Sequence, residues 1–202
     1  HTPLINMSKC EIIKLGIKNS VDFNNTSSCY NPQNNLNCGV CDSCLLRIKG
    51  FKEAQNIIVE FLDYNCGYCK KVHKEILELL KSEKNIKVIY KIFPILSERS
   101  IELAKLSLAV GKKSNSKFIK FHNFLLESKK IPNDKQIELF MKKNKLDFEE
   151  IKSLSENEEI EKILQNNINL ANELKIRGTP AFVIKNELVS GYISKKIIKS
   201  FF

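Results

Sequence analysis

The sequence predicts an α/β fold with a long helical insertion, preceded by a small cysteine-rich segment, and three observations carry that prediction. The apolar run Ile57-Ile58-Val59-Glu60-Phe61-Leu62 reads as a strand and leads to Cys66-Gly67-Tyr68-Cys69, which opens a helical pattern. Near the other end, Arg177-Gly178-Thr179-Pro180 precedes a second apolar run, Ala181-Phe182-Val183-Ile184. Between Cys69 and Pro180 lie more than a hundred residues, most of them helical in pattern.

From Ile57 the expected order is strand, helix, strand, several helices, strand, strand, helix. Val72, Ile76, Leu79 and Leu80 give the first helix an apolar face at the 3.6-residue period. As a right-handed crossover it sets Val88 to Phe93 parallel to Ile57 to Leu62. The insertion, at about residues 98–175, opens with Ile101, Ala104 and Leu108 and continues with Phe118, Phe121 and Leu125 at helical spacing. Ile137, Phe140 and Met141 mark another helix with Asp134 as its N-cap. Asp147 followed by Glu150 reads as a capping box in Asp form, opening a short helix through Leu154. Ile160, Leu164, Ile168, Ala171 and Leu174 place one stripe on the insertion's last helix. The runs Ala181 to Ile184 and Glu187 to Ser190 form a hairpin around Lys185-Asn186, Gly191 ends it, and Ser194 caps the final helix.

The placement of the first cysteine pair has chemical consequences. A thiol at the first turn of a helix meets unpaired N–H groups and the positive end of the helix dipole, so its thiolate is favoured. Cys66 is therefore the expected attacking sulfur. Cys69, after two intervening residues, reaches the same sulfur from inside the turn and is the expected resolving thiol. Half of a zinc site is the alternative for such a pair, but no second Cys or His pair follows Cys69 at a ligand spacing. An X-Pro bond at the start of a strand, as at Thr179-Pro180, is where a cis peptide is expected.

The stretches VEFLDYNCGYCKK, VIYKIFPIL, RGTPAFVI and NELVSGY, in that order, resemble the thioredoxin superfamily and specifically its DsbA-like branch, over about residues 56–202. The resemblance implies a thioredoxin fold whose helical insertion is the DsbA-like cap, and thiol-disulfide oxidoreductase activity on protein substrates. It assigns Cys66 as nucleophile, Cys69 as resolving cysteine, and Thr179-Pro180 as the cis-proline loop whose backbone pairs with a bound substrate segment. Glu60 matches the buried acid of this branch, a group able to relay a proton to or from Cys69 if burial raises its pKa. The alternative is a Glu on an edge strand, and Lys91 is either its partner or a solvated strand-end lysine. Gly67-Tyr68 resembles the dipeptide of disulfide isomerases and of the suppressor-of-copper-sensitivity branch. Those isomerases carry an N-terminal oligomerising region, whose place is taken here by the cysteine-rich segment. His73 reads as a solvated helix residue and His122 as a packing residue.

That segment, residues 1–54, stands apart from the domain at 55–202. Cys29, Cys38, Cys41 and Cys44 give C-x8-C-x2-C-x2-C in an Asn-rich, loop-like stretch, a strong metal spacing suited to a closed tetrahedral site. An iron-sulfur cluster and two disulfides are the alternatives. TPLINMSKCEIIKLG and SSCYNPQNNLNCGVCDSCLLRIKGFKEA resemble the C-terminal part of 7-cyano-7-deazaguanine synthase, the queuosine-pathway ligase. The resemblance implies that Cys29, Cys38, Cys41 and Cys44 hold structural Zn2+, while Cys10, where the family usually has Ala, is a packed small residue. It also places an ATP-pyrophosphatase domain ahead of this part, so these 202 residues alone are not expected to make the nitrile.

Composition sets outer bounds. With 202 residues and 43% hydrophobic content, there is chain for one full domain plus a small metal-stapled piece. The net charge of +10 comes from lysines scattered among glutamates, without an Arg cluster or aromatic-basic stripe, so specific nucleic-acid binding is not expected. The expected partners are protein thiol or disulfide substrates and a redox protein that resets the dithiol. The two resemblances conflict over compartment: the DsbA-like part implies the periplasm, the zinc-thiolate part the reducing cytoplasm. No signal peptide and no membrane-spanning run is legible. The leading function is disulfide exchange, as oxidase or isomerase. The competing ones are a synthase fragment lacking its nucleotide domain, and a metal-binding interaction module with an inert dithiol.

Overall fold

The computed structural model describes residues 4–23, 26–32, 38, 40–54 and 56–202. Residues 33–37 of the Asn-rich stretch, and Gln55 at the join between the two segments, lie outside the described residues.

Two helices, α1 (Lys9–Lys18) and α2 (Asp42–Ala54), pack on each other ahead of the sheet. The expectation of a loop-like stretch around the cysteines is thereby corrected, since α2 begins at Asp42 inside the cysteine motif. The signal for α1 was legible at Ser8-x-x-Glu11, which forms a reciprocal capping box. Ile13 is buried between the helices, and Gly50 permits their approach, because a Cβ there would lie 2.6 Å from Lys9 Cγ. Arg47 lies over the Phe51 ring and donates to the Phe23 carbonyl, tying Phe23 to α2.

The remaining elements follow the expected order. β1 (Asn56–Leu62), α3 (Gly67–Ser82) and β2 (Ile86–Ile92) form a parallel unit, and β3 (Ala181–Ile184) and β4 (Glu187–Ser190) complete a sheet of order β2-β1-β3-β4. β1 pairs antiparallel with β3, so it is a central strand, as its apolar character on both sides predicts. Lys185 and Asn186 carry the two positive φ angles, 47° and 69°, that a tight hairpin turn demands, and Gly191 follows β4 at φ 86°. α9 (Lys195–Lys199) is capped by Ser194 as expected.

Alternation along β1 sorts its side chains between layers. Ile58 joins Val72, Ile76 and Leu79 of α3 and Ile198 of α9 on one face, while Phe61 meets Ala171 and Ile176 on the other. Glu60 shares the Ile58 face, beneath α3. Between β2 and β3 run α4 (Glu98–Lys113), α5 (Asn115–Glu127), α6 (Asp134–Lys143), α7 (Phe148–Ser155) and α8 (Glu158–Glu173). Their shared core, including Leu103, Phe121, Leu125, Ile137 and Ile151, also contains Cys66 and Cys69, so the cap and the dithiol are one packed unit.

Several local expectations are corrected. Asn133, not Asp134, is the N-cap of α6, because Gln136 three residues on completes the reciprocal bonds. Ile101 is exposed, since α4 turns Leu103, Ala104 and Ser107 inward. Leu174 is exposed because α8 ends at Glu173, and Asn167 takes an inward position by donating to the Ile92 carbonyl. Asp147 caps α7 through a 2.8 Å bond from the Glu150 N–H.

Candidate active site and metal centre

The chain turns sharply between β1 and α3, and Asp63 makes the turn. It is fully buried and accepts the Asn65 N–H at 2.8 Å through one oxygen and the Ile95 and Leu96 N–H groups at 2.9 and 3.0 Å through the other. Its own carbonyl accepts the Cys66 N–H. Asp63 went unremarked in the sequence, though an Asp closing a strand before a helix start is an Asx-turn signal.

Cys66 then stands at the N-cap of α3, with extended backbone and its sulfur where a capping oxygen would be. Its Sγ accepts the Cys69 N–H at 3.4 Å, and in the thiol form donates to the Thr179 carbonyl at 3.2 Å. Hydrogen bonding, chiefly from Cys69, brings the Cys66 thiol down to about 5 against the cost of burial. Cys69 is fully buried, and its thiol is pushed far above the ordinary range, first by burial and then by the neighbouring Cys66. Both cysteines are free thiols. The Thr179-Pro180 bond is cis, and Pro180 accepts the Gly191 N–H at 2.8 Å.

Beneath the dithiol, Glu60 is wholly buried and neither carboxyl oxygen has a hydrogen-bond partner. Burial, and to a lesser degree the Cys66 charge, raises it to about 8. Lys91 is no partner: Glu60 stands opposite Tyr90 and Phe182 in the sheet, and Lys91 opposite Phe61. His73 is corrected from a solvated position to a fully buried one, one turn after Cys69 on the inward face of α3. Neither of its nitrogens has a partner, and burial lowers it to about 4. His122 is buried as expected, its Nδ1 hydrogen-bonded to the Tyr64 hydroxyl at 3.2 Å and its ring 5.3 Å from that of His73. Sequence periodicity could not separate a polar residue facing solvent from one facing a polar interior, which is why His73 was misplaced.

The second cysteine set converges as well. The Sγ atoms of Cys29, Cys38, Cys41 and Cys44 lie within 4.8 Å of one another, with Cys38 and Cys44 4.0 Å apart. A tetrahedral site with metal–sulfur bonds of about 2.3 Å requires sulfurs roughly 3.8 Å apart, so the four thiols fit one ion with no open position. Backbone N–H groups point at two of the sulfurs: that of Cys38 donates to Cys29 at 3.2 Å, and that of Cys41 to Cys38 at 3.4 Å. Cys10 is outside this group.

A family model described as Thioredoxin matches residues 46–201. The chain belongs to the thioredoxin family. Among solved relatives of this family member, a thioredoxin-like oxidoreductase from Silicibacter pomeroyi superposes with a TM-score of 0.67 at 29% identity, over 72% of this chain and 83% of that one. The thiol-disulfide exchange protein alpha-DsbA2 from Wolbachia pipientis gives 0.66 at 25% identity, over 96% of each chain. The catalytic domain of Proteus mirabilis ScsC gives 0.62 at 29% identity, over 72% of this chain and 82% of that one. The fold is thus thioredoxin-like with DsbA-like neighbours. A second family model, described as Queuosine biosynthesis protein QueC, matches residues 1–55. The 7-cyano-7-deazaguanine synthase of Pelobacter propionicus is 59% identical over 55 residues, 27% of this chain and 24% of that protein. That of Acetivibrio thermocellus is 54% identical over 63 residues, 31% and 27% respectively. The chain spans about a quarter of the length of these curated relatives. Among the described residues, no helix is long and apolar enough to cross a membrane.

Proposed function

We propose that residues 55–202 exchange disulfides with protein substrates through Cys66 and Cys69, and that residues 1–54 form a separate unit stapled by Zn2+. The observation that carries the first reading is the meeting of a capped, low-pKa Cys66 with a buried Cys69 and the Thr179 carbonyl on the cis-proline loop. In the reduced protein, the Cys66 thiolate attacks one sulfur of a substrate disulfide, and the other sulfur leaves as thiolate. Cys69 keeps its proton while Cys66 is anionic, first because it is buried and then because a second thiolate beside Cys66 would be repelled. Once Cys66 is engaged, that repulsion is gone. Glu60, in its ionised form, then takes the Cys69 proton, the Cys69 sulfur attacks Cys66, and the substrate leaves as a dithiol. Run backwards, the same steps oxidise a substrate. Thr179 and Pro180 hold the substrate backbone alongside.

Equilibrating the protein with a glutathione buffer series, then alkylating and weighing it, tests this reading. A two-electron midpoint assigned to Cys66 and Cys69 is the expected result, and absence of reversible titration retires it. A midpoint well above that of glutathione identifies an oxidase or isomerase of the periplasm, and a strongly reducing one a cytoplasmic reductase compatible with zinc thiolates.

The zinc reading rests on the converged thiols. When bound, the ion would offset half the charge of four thiolates and cross-link the loop bearing Cys29 to the start of α2. A unit whose buried apolar side chains, among the described residues, are Ile13 and Cys44 depends on such a staple. Chelation is expected to release one zinc per chain and melt α1 and α2, read as lost helical circular dichroism, while the glutathione midpoint of the dithiol is unchanged.

A further inference from the structure

A groove of about 830 Å³ begins at Gly67 and Tyr68, the two residues between the cysteines, and follows α3 as far as Glu78. Its other wall is made by the end of α5 and by Tyr192. Tyr192 follows Gly191, whose N–H donates to Pro180, so this wall is joined to the loop that Cys66 touches. A segment leaving a disulfide at Cys66 therefore has this groove beside it.

The end nearest the dithiol is cationic. Lys70, Lys71 and Lys74 line it from α3, and Lys129 from beyond α5. Among the described residues, none of the four forms an ion pair. Lys70 donates to the Ser128 carbonyl at 2.7 Å, which completes the end of α5 without cancelling its charge. The ammonium of Lys71 sits 5.1 Å from the ring centre of Tyr68, which is 60% exposed. The first turn of α3 has no acidic residue, so these cations add to the positive end of the helix dipole, an arrangement that costs stability without an anion to meet it.

The carboxylates of the lining do not balance them. Glu75 keeps its charge while accepting the Tyr192 hydroxyl at 2.9 Å and the Lys195 N–H at 2.7 Å. Glu78 stands twelve residues beyond Cys66, about 18 Å along the helix. Three glutamates, Glu75, Glu78 and Glu127, thus stand against four lysines, and on α3 Lys70 and Lys71 lie about a turn nearer the dithiol than Glu75.

We propose that this groove binds an acidic segment flanking the reactive cysteine of the protein substrate. The proposal rests on the exchange reading and names its substrate class.

Single-turnover exchange of the full chain with three disulfide-bearing peptides tests it. The peptides are matched in length and flanked by Asp and Glu, by Ser, or by Lys, and each rate is normalised to that of the same protein with neutral hydroxyethyl disulfide. At low ionic strength the acidic peptide is expected to react about tenfold faster than the Ser peptide, with the gap closing in concentrated salt. In the Lys71→Glu, Lys74→Glu double variant the order is expected to reverse. Equal normalised rates for the three peptides, or an unchanged order in the double variant, overturn the proposal. Fluorescence anisotropy of cysteine-free acidic and basic peptides reads the groove without chemistry. Preference for the acidic one supports it even if hydroxyethyl disulfide is inert and the exchange reading fails. Single-stranded DNA displacing the acidic peptide at equal charge concentration overturns it in favour of general polyanion binding.

Discussion

Cys66→Ala is expected to reduce disulfide exchange to the uncatalysed background, whereas Cys69→Ala keeps the first step and accumulates mixed disulfides with substrate protein. The asymmetry follows from where the two sulfurs lie. Cys66 alone combines contact with the cis-proline loop and a thiol brought down to about 5. At pH 7 an ordinary cysteine, with a pKa near 8.5, is about 3% thiolate, so Cys66 gains roughly thirtyfold in reactive form. Cys69 has no exposed surface and a thiol raised far above the ordinary range, so it cannot meet an external disulfide and serves only the sulfur next to it. Iodoacetamide labelling of the reduced protein should titrate with a midpoint near 5 and place the label on Cys66. Mass spectrometry under non-reducing conditions should find substrate adducts in Cys69→Ala only. Equal exchange by Cys66→Ala, or adducts in neither variant, sinks the assignment.

Much of this site was legible before any coordinates, because its signals are local. A strand, an N-cap position and a C-x-x-C pair are written within Ile57 to Cys69, and the hairpin is announced by Lys185-Asn186 and Gly191. The central position of β1 also followed from its apolar neighbours on both faces. What could not be read depends on contacts distant in sequence. Lys91 was weighed as a partner of Glu60, but pairing in register gives that position to Tyr90. His73 looked like a polar residue for solvent, because nothing in its own helix reveals that α5 brings His122 across from it. Asp63 holds a loop thirty residues away, so its burial is invisible to periodicity. In the amino-terminal segment the cysteine spacing announced convergence, yet α2 beginning inside it did not, since ligand spacing says nothing about the backbone between ligands.

Glu60→Gln is expected to make the protein more stable at neutral pH and slower in exchange, and the two effects share one cause. The Glu60 carboxyl is raised to about 8 in the folded protein, chiefly by burial, against an ordinary value of 4.5. The folded state thus holds a proton that the unfolded state has released between these values. Stability from this group is fully present below 4.5 and is lost as pH rises through 8. At 1.36 kcal/mol per unit, the loss at pH 7 is about 3 kcal/mol. The histidines act in the opposite sense: His73 is lowered to about 4 and His122 is lowered as well, so their contribution is present above 6.5 and lost as pH falls below it. Urea unfolding of the oxidised protein, in which neither Cys66 nor Cys69 titrates, isolates these groups. The difference between Glu60→Gln and wild type should be small at pH 4.5 and grow to about 3 kcal/mol by pH 7, while the decline below pH 6.5 is common to both. Exchange should respond at the second step only, since the amide cannot take the Cys69 proton: resolution slows by about 10²-fold while attack by Cys66 keeps its rate. A stability difference independent of pH would mean that the fold does not raise Glu60 above the ordinary carboxylate range, and would make it too weak a base for the Cys69 thiol.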